Sequence, residues 1–132
     1  HLDLKTRVIA VVSENANCYK LLVEAGRPVE TNSADTFADG MAVRVPHPDA
    51  LEIISKGVDE ILEVSDDQVA DAIRLYYRAT HNVAEGAGAA PLAGLMAQRD
   101  VMGGKRVGVI LCGGNIDTGK MAAVLDGKTP AP

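Results

Sequence analysis

A cysteine, two glycines and an asparagine stand together directly after an apolar run in the last third of the chain. Cys112 ends this run of residues 106–112, and Gly113, Gly114 and Asn115 follow it. Adjacent glycines let the backbone approach a ligand closely and adopt conformations that other residues avoid. In parallel sheets, ligands bind beyond the carboxyl ends of the strands, which is where Cys112 is expected. From this pattern alone, a ligand-binding loop and a tight turn beside an ordinary buried cysteine both remain open.

The same loop contains the glycine–lysine core of a nucleotide phosphate loop, from Gly114 to Lys120. Such a loop requires a Ser or Thr hydroxyl directly after the lysine to hold magnesium. The next residue is Met121, and no later strand offers an acidic metal ligand. The sequence therefore argues against a nucleotide site.

Short apolar runs rich in β-branched residues predict the strands that would position the loop. They are residues 7–13, 60–65 and 106–112, with 41–45 as a weaker fourth candidate. The first and third runs are almost continuously apolar, as in strands that helices cover on both faces. Helical patterns alternate with them, at residues 15–25, 49–56, 66–79 and 86–98, and a last helix is predicted to begin near Asp117 or Thr118. This alternation predicts an α/β fold with a mainly parallel sheet and flanking helices.

Two of the predicted helices carry specific local signals. Ser65 and Gln68 form a capping-box pattern at the start of helix 66–79, and Val64 and Val69 can form a hydrophobic staple there. Helix 86–98 is rich in Gly and Ala, so we expect it to pack closely against a neighbour. Its Pro91 is unfavourable in a helix unless it lies in the first turn, where the missing N–H is not needed.

Composition bounds the class of protein. Hydrophobic residues make up 47% of the 132 residues and charged residues 23%, which is typical of a globular domain. A net charge of −5 without a basic stripe argues against nucleic-acid binding. No apolar run reaches the roughly 20 residues of a membrane span, and the first residues do not resemble a signal peptide.

The cysteines and histidines predict neither a disulfide framework nor a metal site. Cys18 and Cys112 lie far apart, and the three histidines have no ligand spacing. Free thiols favour a reducing compartment, so we expect a cytoplasmic protein.

Three motifs in register identify a family. The segments TFADGM at residues 36–41, AEGAGAA at 84–90 and LCGGNID at 111–117 occur in this order. Their order and separations resemble the fold-type II pyridoxal-phosphate enzymes of the threonine dehydratase and serine racemase family, whose large domain has the fold of the tryptophan synthase β subunit. The resemblance runs from about residue 8 to residue 116. It implies that residues 1–126 are the carboxyl-terminal part of such a catalytic domain and that residues 127–132 are a flexible tail.

The resemblance also implies roles around the cofactor ring. Cys112 stands where the family has a Ser or Cys that hydrogen-bonds the pyridine nitrogen. Gly113, Gly114 and Asn115 would shape the pocket at that edge of the ring, and Glu85 would place its carboxylate near the site.

A second loop is expected on the cofactor or substrate side. It contains Asp39 and Gly40, of which we select Gly40 as a cofactor-site residue. For Asp39 and Glu85, simple capping of a loop or a helix is the alternative interpretation.

The expected reaction is α,β-elimination of L-threonine to 2-oxobutanoate and ammonia, with pyridoxal 5'-phosphate as cofactor. Serine racemase, another β-hydroxy amino acid dehydratase, or a non-catalytic fragment of this fold are the alternatives. A neutral thiol beside the pyridine nitrogen suits elimination, because it leaves the nitrogen essentially unprotonated. No histidine near Cys112 in sequence suggests a thiolate nucleophile.

Other parts of the family's site are expected outside this chain. The lysine that forms the Schiff base and the phosphate-binding glycine loop lie upstream of the matched region, so we assign no catalytic residue here. We therefore expect this part alone to be inactive and to require the missing amino-terminal part of the domain, in an enzyme that is a homo-oligomer. Some relatives bind a divalent cation after the first strand, but Val12 and Ser13 stand there, so we predict no metal.

Overall fold

The computed structural model describes residues 5–132 as two strands and several helices. Strands β1 (Ile9–Ser13) and β2 (Glu60–Val64) pair in parallel, with Ile9 opposite Glu60 and Ser13 opposite Val64. The helices are α1 (Cys18–Ala25), α2 (Ala50–Gly57), α3 (Asp66–Thr80), α4 (Gly86–Ala97), α5 (Arg99–Met102) and α6 (Thr118–Leu125), with a 3-10 helix at Asp39–Met41. The predicted α/β architecture with a parallel sheet and flanking helices is confirmed.

The third predicted strand is wrong for the chain as described. Residues 106–112 have no regular secondary structure and make no ladder with β1 or β2. A strand exists only through hydrogen bonds to a neighbour, and none of residues 5–132 lies beside this segment to form a ladder. The apolar, β-branched composition of residues 106–112 favours a strand, but composition does not reveal whether a neighbouring strand is present to pair with it.

The weak strand candidate at residues 41–45 is also wrong. Met41 ends the 3-10 helix, and the residues after it form a loop in which the Arg44 carbonyl accepts a hydrogen bond from the Thr31 N–H at 3.0 Å. The sheet consequently consists of β1 and β2 alone among the described residues. The predicted helices are present, although α1 begins at Cys18 rather than near residue 15, and the short helix α5 and the 3-10 helix were not predicted.

The start of α3 is the element that local sequence describes best. The Ser65 hydroxyl accepts a hydrogen bond from the Gln68 N–H at 3.2 Å, and the Gln68 side chain accepts one from the Ser65 N–H at 2.9 Å. Val64 and Val69, the predicted staple, are both buried in the core. The predicted capping box is therefore confirmed.

Helix α4 forms the centre of the packing. It contacts α3, both strands and the 3-10 helix, and its Ala89, Ala90 and Ala93 are buried. Pro91 lies at the sixth position of the helix, beyond the first turn where a proline is tolerated best. The proline leaves the Ala87 carbonyl without its helical donor, and the helix continues because burial on several sides holds it in place.

Two glycines of α4 allow this close packing. A Cβ at Gly94 would lie 2.8 Å from the Val11 side chain, and a Cβ at Gly88 would overlap the carbonyl oxygen of Cys112. The overlap at Gly88 cannot be relieved by a small shift of a side chain, because the obstacle is the backbone of Cys112. The position of Cys112 therefore depends on a residue without a side chain at position 88.

The tail after α6 is packed, although the sequence suggested a flexible end. Arg74 of α3 donates to the carbonyls of Val124 and Lys128 at 2.9 and 3.2 Å, and the Thr129 hydroxyl bonds the carboxylate of Asp67. Pro130 is buried. Contacts to the polar face of α3, which do not follow a periodic pattern, hold this segment. In the described part of the chain, no helix has the length and apolar character to cross a membrane.

Removing the capping hydroxyl should weaken α3. We expect Ser65→Ala to lower the free energy of unfolding by about 1 kcal/mol, because the Gln68 N–H loses its acceptor. The measurement is urea denaturation followed by circular dichroism. Ser55→Ala, an exposed position inside α2, is the matched control and should stabilise the protein by a few tenths of a kcal/mol, up to about 0.5. Equal effects of both variants would contradict the role of the cap.

A methyl group at position 88 should displace the segment that ends at Cys112. We expect Gly88→Ala to cost about 1–3 kcal/mol of stability through overpacking and to change the rate at which Cys112 reacts with a thiol reagent. Gly119→Ala in α6 is the control, because nothing lies within 4 Å of a Cβ there. Unchanged stability and unchanged thiol reactivity in Gly88→Ala would show that the segment is not held by this contact.

Candidate functional site

Cys112 lies at the end of the irregular segment 106–112, where its side chain is accessible. The residue is exposed and its thiol is free. Its carbonyl oxygen lies against Gly88 of α4, so the backbone is fixed from one side while the residue remains accessible. A thiol so placed can hydrogen-bond a molecule that approaches the loop.

The backbone of Glu85 ties the start of α4 to the glycine loop. The Glu85 N–H donates to the Gly113 carbonyl at 3.1 Å, and the Asn115 N–H donates to Glu85 Oε2 at 3.2 Å. The Glu85 side chain makes no capping hydrogen bond to α4. The Glu85 side chain therefore does not cap α4, and its carboxylate contacts the loop after Cys112.

The loop needs both of its glycines. Gly113 has a φ of +69°, and a side chain there would overlap the Glu85 carboxylate. A Cβ at Gly114 would lie 3.0 Å from the Val83 carbonyl oxygen. A larger residue at position 113 would push the loop away from Glu85, and one at position 114 would crowd the Val83 carbonyl.

Gly40 belongs to a distant part of the chain but lies next to Glu85 in the structure. A Cβ at Gly40 would lie 3.6 Å from Glu85 Oε1 and 2.9 Å from the Ala87 side chain. Asp39 is exposed, and its carboxylate accepts the Gly40 N–H at 2.9 Å, which is a local loop-capping contact. The six residues selected from the sequence are thus brought together: Gly40, Glu85, Cys112, Gly113, Gly114 and Asn115.

Asp66 holds the loop that carries Gly40, and the sequence did not reveal this. Its carboxylate accepts the Thr36 hydroxyl at 2.5 Å and the Phe37 N–H at 3.1 Å. Ala38 then packs against Gly86, where a Cβ would lie 2.6 Å away. The partners of Asp66 lie about thirty residues earlier in the chain, too far for a spacing pattern.

Tyr76 is a buried polar group beside this region. Its hydroxyl has no hydrogen-bond partner among the described residues, and burial raises the pKa of the phenol, with a smaller contribution from Cys112. The phenol therefore stays neutral and adds no charge near the thiol. Its position on the buried face of α3 follows from helical spacing, whereas its proximity to Cys112 does not.

Five lysines of the described residues contact other parts of the structure than the loop after Cys112. Lys20, Lys56 and Lys128 pair with carboxylates of Glu24, Glu52 and Asp126. Lys5 and Lys105 line a separate groove.

The position after β1 has no cluster of metal ligands. Ser13 is fully buried, and its hydroxyl accepts the Asn15 N–H at 3.2 Å. Across residues 5–132, no three His, Cys, Asp or Glu side chains converge as metal ligands would.

Comparison with known proteins places this arrangement in a family. Residues 1–113 match the family described as "Pyridoxal-phosphate dependent enzyme". The chain is 34% identical over 125 residues to the L-threonine ammonia-lyase of Thermotoga maritima, covering 95% of this chain and 31% of that protein. It is 36% identical over 118 residues to the beta-hydroxyaspartate dehydratase of Paracoccus denitrificans, covering 89% and 37%.

A solved structure agrees with the sequence relatives. The processed form of threonine deaminase isoform 2 from Solanum lycopersicum superimposes with a TM-score of 0.86 at 28% identity, covering 95% of this chain and 35% of that one. The chain spans about a third of the length of the curated relatives it matches. On the family match, the sequence relatives and the common fold, the chain belongs to the fold-type II pyridoxal-phosphate-dependent enzymes, in the threonine dehydratase family.

Proposed function

We propose that this chain forms the ring-nitrogen side of the cofactor site in an ammonia-lyase that converts L-threonine to 2-oxobutanoate and ammonia. One observation carries the proposal. The accessible thiol of Cys112, the glycine backbone after it, the Glu85 carboxylate and Gly40 come from three separate segments and meet at one place. Site residues gathered in this way from distant segments are typical of a binding site rather than of a turn.

The described residues fit one edge of pyridoxal phosphate. Cys112 would hydrogen-bond the pyridine nitrogen, and Gly113 and Gly114 would let the backbone approach the ring because neither carries a side chain. Glu85 would hold the loop in shape through the N–H of Asn115. When bound, the cofactor supplies an electron sink for the α-carbon of the amino acid.

The choice of a thiol at position 112 has a chemical consequence. A carboxylate at the ring nitrogen would hold a proton there and strengthen the electron sink, whereas a thiol is a weak hydrogen-bonding partner without a full charge. A weaker sink gives a shorter-lived α-carbanion, which favours prompt loss of a β-hydroxyl. Cys112 thus supports elimination as a hydrogen-bonding group and requires no thiolate.

The phosphate and the aldehyde end of the cofactor need residues beyond those described here. The family implies a lysine and a glycine-rich phosphate loop, and three of the described lysines, Lys20, Lys56 and Lys128, pair with carboxylates instead. The relatives extend beyond the region that matches this chain, which is about a third of their length. We propose that the corresponding remainder of this enzyme supplies the lysine and the phosphate loop. We further propose a homo-oligomeric enzyme in a reducing compartment such as the cytoplasm, where Cys18 and Cys112 remain free thiols.

A second substrate is supported by the Paracoccus denitrificans relative. That protein is named a beta-hydroxyaspartate dehydratase and is 36% identical to this chain, slightly more than the Thermotoga maritima ammonia-lyase. Both substrates are β-hydroxy amino acids and differ only in the group on the β-carbon. The racemase alternative predicts a different product, the D-amino acid, so product analysis separates it from elimination.

The enzyme that carries this chain should bind pyridoxal phosphate and release a 2-oxo acid. We expect a visible absorbance band of the bound cofactor and formation of 2-oxobutanoate and ammonia from L-threonine in equal amounts. L-serine and 3-hydroxyaspartate are assayed in parallel as alternative substrates. Formation of D-serine from L-serine is measured as the sign of a racemase. A full-length enzyme without the band and without a keto acid product would refute the proposed activity, and a preference for 3-hydroxyaspartate would transfer it to the second substrate.

Substitution of Cys112 should separate a hydrogen-bonding role from a charged one. We expect Cys112→Ser to keep most of the elimination activity, because a hydroxyl also bonds the ring nitrogen, and Cys112→Asp to lower kcat by on the order of tenfold or more. The absorbance spectrum of the bound cofactor should shift in the Asp variant and not in the Ser variant. Cys18→Ala is the control, since Cys18 lies buried in α1. An Asp variant as active as the wild type would contradict the electronic argument.

A further inference from the structure

Tyr76 brings a hydroxyl into a core cluster whose other members are apolar. Only 9% of the residue is exposed, and the hydroxyl has no hydrogen-bond partner among the described residues. A buried hydroxyl without a partner carries the full penalty of its lost hydration, whereas a phenylalanine ring of the same shape carries none. Buried polar groups are paired in nearly all native structures, so this hydroxyl calls for a partner.

The buried polar groups of the described residues do not supply that partner. Ser13 and Thr36 are buried and polar, and their hydroxyls already bond a backbone N–H and a carboxylate. Gln98 has an unpaired Oε1, but it lies at the far end of α4, where its amide bonds Glu60. The partner of Tyr76 is therefore expected at the border of the core, where exposed residues begin.

The loop after Cys112 lies at this border. Leu111 and Ile116, which flank the loop, pack against the core cluster that contains Tyr76. The Cys112 carbonyl lies against Gly88 of α4, and α4 packs along α3. Burial raises the pKa of the Tyr76 phenol, and the charge of a Cys112 thiolate raises it further, so the phenol and the thiol lie within electrostatic range of each other.

We propose that Tyr76 is a positioning residue for Cys112: its hydroxyl donates a hydrogen bond to the Cys112 sulfur, and the thiol hydrogen is thereby directed to the pyridine nitrogen of the cofactor. This rests on the proposed function, in which Cys112 bonds that nitrogen. In the described side-chain positions the two groups are not hydrogen-bonded. Cys112 is exposed, and rotation about its Cα–Cβ bond moves the sulfur between staggered positions. We expect the rotamer that faces the phenol to be the occupied one in the full-length enzyme.

A donor behind the sulfur changes what the thiol does. Hydrogen bonds in a chain polarise one another, so a sulfur that accepts a bond donates its own hydrogen more strongly. The phenol stays neutral because its pKa is raised, and it therefore adds no full charge beside the ring nitrogen. Cys112 then holds the ring more firmly and still leaves the nitrogen unprotonated, which suits elimination.

The carboxylates of the site cannot take this role. Glu85 accepts the Asn115 N–H, and Asp39 accepts the Gly40 N–H. An ionised carboxylate only accepts hydrogen bonds, so neither group donates one to a sulfur. A neutral phenol has the hydrogen that this contact needs.

The reactivity of Cys112 in the full-length enzyme without cofactor tests the contact directly. A hydrogen-bond donor stabilises the thiolate, which is the form that reacts with alkylating reagents. We expect Tyr76→Phe to slow alkylation of the peptide that contains Cys112 on the order of tenfold at neutral pH, as followed by mass spectrometry. Tyr77→Phe is the matched control and should react like the wild type, because Tyr77 is the next residue of α3 but is 40% exposed. An unchanged or faster rate in Tyr76→Phe would overturn the proposal.

The Phe substitution should keep the fold, because it removes an unpaired buried hydroxyl and leaves the ring in place. Circular dichroism checks each variant. Tyr76→Leu, which also lacks the hydroxyl, provides a second measurement and should slow alkylation of Cys112 to a similar extent.

A double-mutant cycle tests whether Tyr76 acts on the cofactor through Cys112. We expect Tyr76→Phe to weaken the affinity of the full-length enzyme for pyridoxal phosphate about threefold to tenfold, as measured by absorbance titration. In the Cys112→Ala background the same substitution should leave the affinity unchanged. Equal losses in both backgrounds would show that Tyr76 does not act through the thiol, and the proposal would fail.

The two measurements separate this proposal from the proposed function. Wild-type cofactor affinity and spectrum in Cys112→Ala would contradict both together, because the thiol would then make no contact with the ring nitrogen. Impaired cofactor binding in Cys112→Ala beside unchanged alkylation in Tyr76→Phe would contradict the role of Tyr76 alone.

Discussion

The contact between α4 and the backbone of Cys112 is the constraint on which the candidate site depends. Position 88 has no side chain, so the Cys112 carbonyl can lie directly against the helix. The Glu85 N–H then reaches the Gly113 carbonyl, and the Asn115 N–H reaches the Glu85 carboxylate. A bulkier residue at position 88 would separate the helix from the loop and would break both connections at once. Close packing and hydrogen bonding thus act on the same few atoms.

A second set of contacts brings the Gly40 loop to the same place. Asp66 binds the Thr36 hydroxyl and the Phe37 N–H at the start of α3, and Ala38 packs against Gly86 at the start of α4. The amino termini of two helices therefore fix one loop from both sides. Because the same loop lies next to Glu85, the geometry of the site is determined by how α3 and α4 pack, which is the most extensive helix contact of the chain.

The backbone of β1 and of residues 106–112 shows the limits of this third of the enzyme. Hydrogen-bonding groups of the backbone are satisfied in native proteins almost without exception, and here one edge of β1 faces a groove. Cys112 is the last residue of the segment on the far side of that groove.

Local sequence determined the parts of this protein that depend on nearest neighbours. The capping box at Ser65 and the end points of α3 follow from residues within one helical turn, and the three motifs identified the family. Tertiary structure alone decided the rest. Residues 106–112 could not be recognised as unpaired, because pairing depends on a neighbour that is distant in the chain. The roles of Gly88 and Asp66 likewise arise from partners about thirty or fewer residues away that no periodic pattern connects. Composition and spacing report what a segment can form, whereas packing decides which groups it meets.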